Sequence, residues 1–144
     1  MKPLFLIACS AAKLAHPAPA AKLYTGQAFK LAMAAAAAVD AEVLILSALH
    51  GAVQAGQVLA PYDRALAEMN TQQRKVWAAT TAQQLERYRD RITVCLAGKH
   101  YAAATTRFAF ISYPLAGQGI GEQLSTLKRS NWEAHLDIYH GVTA

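Results

Sequence analysis

Pro3-Leu4-Phe5-Leu6-Ile7-Ala8-Cys9-Ser10 is an unbroken apolar run that ends on a thiol and a hydroxyl. A run of this length without alternation suits a strand buried on both faces, as in a parallel sheet covered by helices. Downstream, residues 27–39 (QAFKLAMAAAAAV) are almost all strong helix formers, and Thr25-Gly26 stands where a cap belongs. Residues 43–46 (VLIL) then repeat the buried-strand pattern. Strand, helix, strand predicts a right-handed parallel crossover.

The same alternation continues along the chain. Asn70-Thr71-Gln72-Gln73 has the form of a capping box and starts a helix expected to run to about residue 89. Residues 92–97 (ITVCLA) are a third buried-type strand, and a short helix is expected through residue 104. Residues 108–112 make a fourth strand, followed by a helix to about residue 129 and a tail from Ser130 with no clear period. Two long loops are expected, at 11–26 and 52–69, and long ordered loops are often functional. The expected sum is one α/β domain over residues 1–144, with a four-stranded parallel sheet between helical layers.

Composition agrees with a folded domain. With 144 residues, 54% of them apolar and 16% charged, the chain is of single-domain size and far from the composition of a disordered one. Alanine inflates the apolar figure, chiefly in the run at 34–38, to which no function attaches. Lys and Arg outnumber Asp and Glu by 14 to 9, an excess compatible with nucleic acid or phosphorylated ligands.

Cys9 and Cys95 are the only cysteines, and each falls in or just after a strand-like run. They are expected to be unbridged, in a reducing, cytoplasmic compartment. Leu6-Ile7-Ala8-Cys9 resembles a lipoprotein cleavage site, but only eight residues precede the cysteine, against an N-terminal signal of roughly 15–30 residues. Asp40 and Glu42 break the longest apolar stretch well short of the roughly 20 residues of a membrane span, so no membrane partner is expected.

In open parallel sheets ligands bind beyond the carboxyl ends of the strands. Those ends carry Cys9 and Ser10 with Lys13, Ser47 with His50, Lys99 with Tyr101, and Pro114 ahead of Gly117, Gly119 and Gly121. Cys9, Ser10 and Lys13 could form an anion-binding turn, or Lys13 could activate Cys9 as a nucleophile. Cys9 also suits a small apolar residue finishing a strand. Asp63, between Tyr62 and Arg64, could serve as a general base while the ring stacks on a planar ligand, or could simply form a turn after Pro61. Gly117, Gly119 and Gly121 allow close approach of backbone to a ligand at a helix N-terminus, without the spacing of a dinucleotide fingerprint.

Trp77, Tyr88 and the arginines at 74, 87, 89 and 91 would suit nucleic acid, although a core aromatic and a solvated charged face are the plainer expectation. His16, His50, His100, His135 and His140 lack metal-ligand spacing. No metal and no cofactor is expected.

Five blocks, Cys9-Ser10-x-x-Lys13, Leu23-Tyr24-Thr25-Gly26, Ile45-Leu46-Ser47-Ala48, Ala60-Pro61-Tyr62-Asp63 and Pro114-Leu115-Ala116-Gly117-x-Gly119-Ile120-Gly121, resemble a family of short, uncharacterised bacterial and phage proteins. More distantly, Cys9-Ser10 and Lys13 after a strand resemble the uracil-DNA-glycosylase-like domains, including that of archaeosine synthase, and there is a looser similarity in role to bacterial peroxide-stress DNA-binding proteins. The glycosylase motifs Gly-Gln-Asp-Pro-Tyr-His and His-Pro-Ser are missing here.

The distant resemblance implies a three-layer domain that handles a nucleobase, free or in DNA or RNA. Under it Asp63 is acid or base, Lys13 and the backbone at 117–121 hold phosphate, and Tyr62 or Tyr24 stacks on the base. Ser10, Ser47, His50 and Lys99 complete the expected contacts, with Cys9 a further catalytic candidate. Two other classes fit the same residues: a nucleic-acid-binding protein without catalysis, and a binding or sensing domain for a nucleotide-like small molecule.

Overall fold

The computed structural model describes residues 2–137. The chain runs β1 (Leu4–Ala8), β2 (Ala18–Pro19), α1 (Ala20–Leu23), α2 (Gln27–Ala38), β3 (Glu42–Ser47), β4 (Gly51–Gln54), β5 (Val58–Leu59) and α3 (Thr71–Leu85). It continues with β6 (Thr93–Leu96), α4 (Lys99–Ala102), β7 (Ile111–Ser112), α5 (Ile120–Arg129) and α6 (Trp132–Asp137).

The main sheet has the order β4-β3-β1-β6-β7. β1 is its centre, pairing in parallel with β3 (Ile7 opposite Ile45) and with β6 (Ile7 opposite Leu96), and β7 adds in parallel to β6. These are the four parallel strands expected from the apolar runs. Side chains alternate across the sheet, so Phe5, Ile7, Ile45, Val94 and Leu96 pack in one cluster with residues of α2, α5 and α6. Leu4, Leu6, Leu44, Leu46 and Cys95 pack in the other with residues of α3. Both faces are covered, which is why β1 shows no alternation in sequence. Phe5 and Leu6 are fully buried on opposite faces, each contributing about 1.5–3 kcal/mol of apolar burial.

The sheet has five strands rather than four. After β3 the chain turns back at Gly51, whose φ is +76°, and β4 pairs antiparallel with β3, Ser47 opposite Gly51. A Cβ on Gly51 would also meet the amide end of the Gln84 side chain, which would have to move aside, but it is the positive φ that favours glycine here. The stretch expected as the second loop thus supplies an edge strand.

The first loop is also more ordered than expected, because the two long loops pair with each other. β2 lies antiparallel to β5, Ala20 and Ala21 donate to the carbonyls of Gln57 and Ala55, and Lys13 bridges to Tyr24. The fourth strand is only Ile111–Ser112. Phe108 and Ala109, expected within it, instead hydrogen-bond to Thr105 and Arg89.

α3 opens on the expected capping box. Asn70 Oδ1 accepts the Gln73 N–H at 2.8 Å and Gln73 Oε1 accepts the Asn70 N–H at 3.0 Å, a cap worth about 1 kcal/mol. Regular helix stops at Leu85, and a 3-10 turn (Glu86–Tyr88) takes the place of the last expected turn. The tail forms α6, whose Trp132 packs edge-on to Phe5 at 5.9 Å. His140 lies outside the described residues.

No helix among the described residues is long and apolar enough to cross a membrane. Cys9 and Cys95 are both free thiols.

Candidate active site at the mouth of the sheet

From β1 the chain passes to β3 on one side and later, after α3, to β6 on the other, so the order of strands switches between β1 and β6. A crevice of about 390 Å³ opens there, beyond the carboxyl ends of the two strands. Cys9 and Ser10 from β1, Ala97 and Gly98 from β6, and Gly26 at the start of α2 form its base, with Phe29, Leu115 and Leu127 as apolar wall. A second cavity of about 590 Å³ shares Gly98, Leu115 and Gln123 with it and is lined also by Lys99 and Gly117.

Ser10 fastens the loop that carries Lys13. Its Oγ accepts the Gly26 N–H at 3.2 Å and donates to the Ala12 carbonyl at 2.7 Å, and a Cβ on Gly26 would come within 2.8 Å of Ser10 Cβ. So placed, the Lys13 ammonium sits 4.4 Å from the centre of the Tyr62 ring and 5.7 Å from that of Tyr24, a cation–π arrangement, and donates to the Ala11 carbonyl.

Beside Cys9 lies a chain of hydroxyls. Ser47, fully buried at the end of β3, accepts the N–H groups of His50 (3.0 Å) and Leu49 (3.3 Å) on its Oγ. With both lone pairs engaged, its O–H is left to donate to Tyr62 Oη at 2.6 Å. Tyr62 then donates to Tyr24 Oη at 2.6 Å. The one proton of this chain without an acceptor among the described residues is that of Tyr24.

Cys9 Sγ meets the Tyr101 hydroxyl at 3.4 Å. Trp77 stands edge-on to Tyr101 at 5.5 Å and donates its indole N–H to the Ser47 carbonyl, holding the end of β3.

Burial pushes the phenols of Tyr24, Tyr62 and Tyr101 above their usual range, and electrostatic repulsion from the neighbouring Cys9 adds to the rise in all three. Below strongly alkaline pH they are neutral hydrogen-bond donors. Cys95, by contrast, is pushed up to about 12 by burial in the middle of β6, which leaves an inert thiol. Partial burial, with Arg74 and Lys99 nearby, lowers His100.

The structure therefore brings Cys9, Lys13, Tyr24, Ser47 and Tyr62 into one cluster, and places Lys99 and Gly117 in the adjoining cavity. His50 meets the cluster through its backbone N–H on Ser47 Oγ and through its ring, edge-on to Tyr62 at 5.5 Å, and lines a separate groove. Asp63 is exposed one residue beyond Tyr62, with no hydrogen bond or ion pair to another described residue, and lines neither cavity. Gly117 has a φ of +74°, Gly119 caps α5 and Gly121 is in its first turn. Gly119 and Gly121 line neither cavity, and a Cβ at any of the three would meet nothing within 4 Å.

Tyr101 was not among the expected ligand contacts, although it follows a strand end by a few residues, which is the signal that singled out Lys99. Trp77 and Tyr88 are buried, as plain core residues would be. Arg89 pairs with Glu86 and Arg91 with Glu42, Arg87 lies over the Tyr88 ring, and Arg74 donates to the Leu66 and Met69 carbonyls. No group of His, Cys, Asp or Glu among the described residues is arranged to hold a metal ion.

Fold and site together describe an α/β domain with a mostly parallel sheet and a largely apolar crevice, flanked by a polar cluster, at its strand-order switch. Residues 4–129 match DUF6884, a family of unknown function, and the chain belongs to that family. No curated protein and no solved structure matches the chain.

Proposed function

We propose that the protein is an enzyme acting on a nucleobase or its N-glycosidic bond, with the base held in the crevice between β1 and β6. One observation carries this reading: Cys9 stands both in a partly apolar crevice suited to a flat heterocycle and within a cluster of protonated hydroxyls topped by Lys13. Phe29, Leu115 and Leu127 offer the ring apolar surface, while hydroxyl and backbone groups can read its edge. The likeness of Cys9-Ser10 and Lys13 to uracil-DNA-glycosylase-like domains supports the same substrate class, and so does the three-layer arrangement.

In the glycosidic case water adds to the sugar C1′ as the C1′–N bond breaks. The proton of the water passes to solvent, and the departing base receives one from the Lys13 ammonium or the Tyr24 hydroxyl. Lys99, beside Gly117 in the adjoining cavity, binds phosphate. Acting on a base within a duplex would first require flipping it out of the stack.

The test is product analysis by mass spectrometry after incubation with nucleosides and with single- and double-stranded oligonucleotides. Lys13→Met is expected to lower turnover by a factor on the order of 10²–10⁴ while retaining the fold. Lys99→Ala is expected to weaken binding and flatten its salt dependence. Unchanged turnover in a folded Lys13→Met removes Lys13 from the mechanism. Binding without any product replaces the enzyme with a nucleic-acid-binding or nucleotide-sensing protein.

A further inference from the structure

A groove of about 340 Å³ lies between the turn after β3 and the outer side of α3, apart from the crevice that holds Cys9. Leu49 and Val76 form two of its walls, and both are unusually exposed for large apolar side chains, at 48% and 56%. Arg64 also lines it, with no hydrogen bond or ion pair to another described residue. No carboxylate is among the residues that line it. Deeper in, Thr81 is fully buried, and its Oγ1 has no hydrogen-bond partner.

The groove adjoins the candidate centre. Two of its lining side chains, His50 and Trp77, are those that stand edge-on to Tyr62 and Tyr101.

We infer that this groove binds a nucleotide next to the reacting base, so that the substrate is a single-stranded polynucleotide rather than a free base or nucleoside. The inference rests on the nucleobase reading above. A group that fills the groove needs an apolar face for Leu49 and Val76 and an anion for Arg64, and a nucleotide unit offers both at once. An unpaired guanidinium in a wall free of carboxylates is complementary to phosphate. Through His50 and Trp77, which touch Tyr62 and Tyr101, this unit would lie beside the hydroxyl cluster next to Cys9. Single strands are commonly held by this combination of a cationic track and contacts to base faces.

The test compares thymidine monophosphate with an oligothymidylate of roughly ten nucleotides, within the span a single-strand-binding domain covers. Binding is measured by calorimetry on the parent, Arg64→Ala and Val76→Glu, each checked for an unchanged melting temperature. The parent should bind the oligonucleotide more tightly than the monophosphate. Each variant should lose about tenfold for the oligonucleotide and nothing for the monophosphate. Arg64→Ala should also reduce the salt slope by about 0.7, the value for one phosphate on a single strand.

Folded variants that bind the oligonucleotide like the parent overturn the groove while leaving the nucleobase reading standing. So does a parent that binds monophosphate and oligonucleotide equally. A parent that binds neither overturns both. An oligoglutamate bound through Arg64 in place of the strand would assign the groove to an acidic peptide instead.

Discussion

The two edges of the sheet treat charge in opposite ways. At the edge where the parallel strands begin, Lys2 pairs with Asp40 at 3.2 Å, Arg91 with Glu42 at 2.7 Å, and Glu86 takes both Arg89 and Arg107. At the edge where they end, Lys13, Arg64, Lys99 and Asp63 have no ionic partner among the described residues, and the polar groups that do meet are hydroxyls and a thiol. The first edge is complete in itself. The second carries unmatched charge around a crevice, and a ligand can supply what is missing. The arginines before β6, by contrast, are engaged within the protein.

The largest expected effect that tests this contrast is alkaline. A thiol or phenol whose pKa is raised in the fold keeps its proton there and loses it on unfolding once the pH passes its ordinary value. The unfolded chain then binds fewer protons, so stability falls as pH rises. For Cys95 the loss starts near its ordinary 9.0 and is complete near 12, on the order of 4 kcal/mol at about 1.36 kcal/mol per unit. Tyr24, Tyr62 and Tyr101 add to it above 10. Urea unfolding from pH 8 to 11 should show a steepening decline, and Cys95→Ala should remove the part that begins at 9. A flat profile would mean that neither Cys95 nor the phenols of the cluster are shielded from water.

Ser47→Ala comes next. It strips two backbone N–H groups of their acceptor and Tyr62 of its donor, at a cost of about 1–3 kcal/mol in urea unfolding. The paired edge should respond less. Glu42→Gln, whose carboxylate is 44% exposed, is expected to lower stability by at most about 1 kcal/mol, and Lys2→Ala, more exposed still, by a few tenths or nothing. If Lys2→Ala were as damaging as Ser47→Ala, the contrast between the edges would not be one of burial and satisfaction.

The parallel core could be read in the sequence because double-sided burial leaves an unbroken apolar run, visible in residues 4–8, 43–46 and 93–96. β4 could not. Gly51-Ala52-Val53-Gln54 is short and weakly apolar, and only the reversal at Gly51 and the free flank of β3 make it a strand. β2, α1 and β5 depend on two loops some forty residues apart finding each other, which no local pattern records.

The site was legible to a similar degree. Cys9, Lys13, Tyr24, Ser47 and Tyr62 follow strand ends or sit in the loops and converge. Asp63 stays exposed and outside the crevice, while its neighbour Tyr62 turns inward to Ser47. Tyr101 had a signal in its position after β6, but nothing marked it above its neighbour Lys99.

The strands on the two flanks of the main sheet are β4, with four residues, and β7, with two, against five and six in β1 and β3. A flank that short offers a foreign strand few free N–H and C=O groups to add to. Growth of the sheet from one molecule into the next is therefore poorly templated on either side, which protects a domain with so apolar a centre from aggregating as it folds.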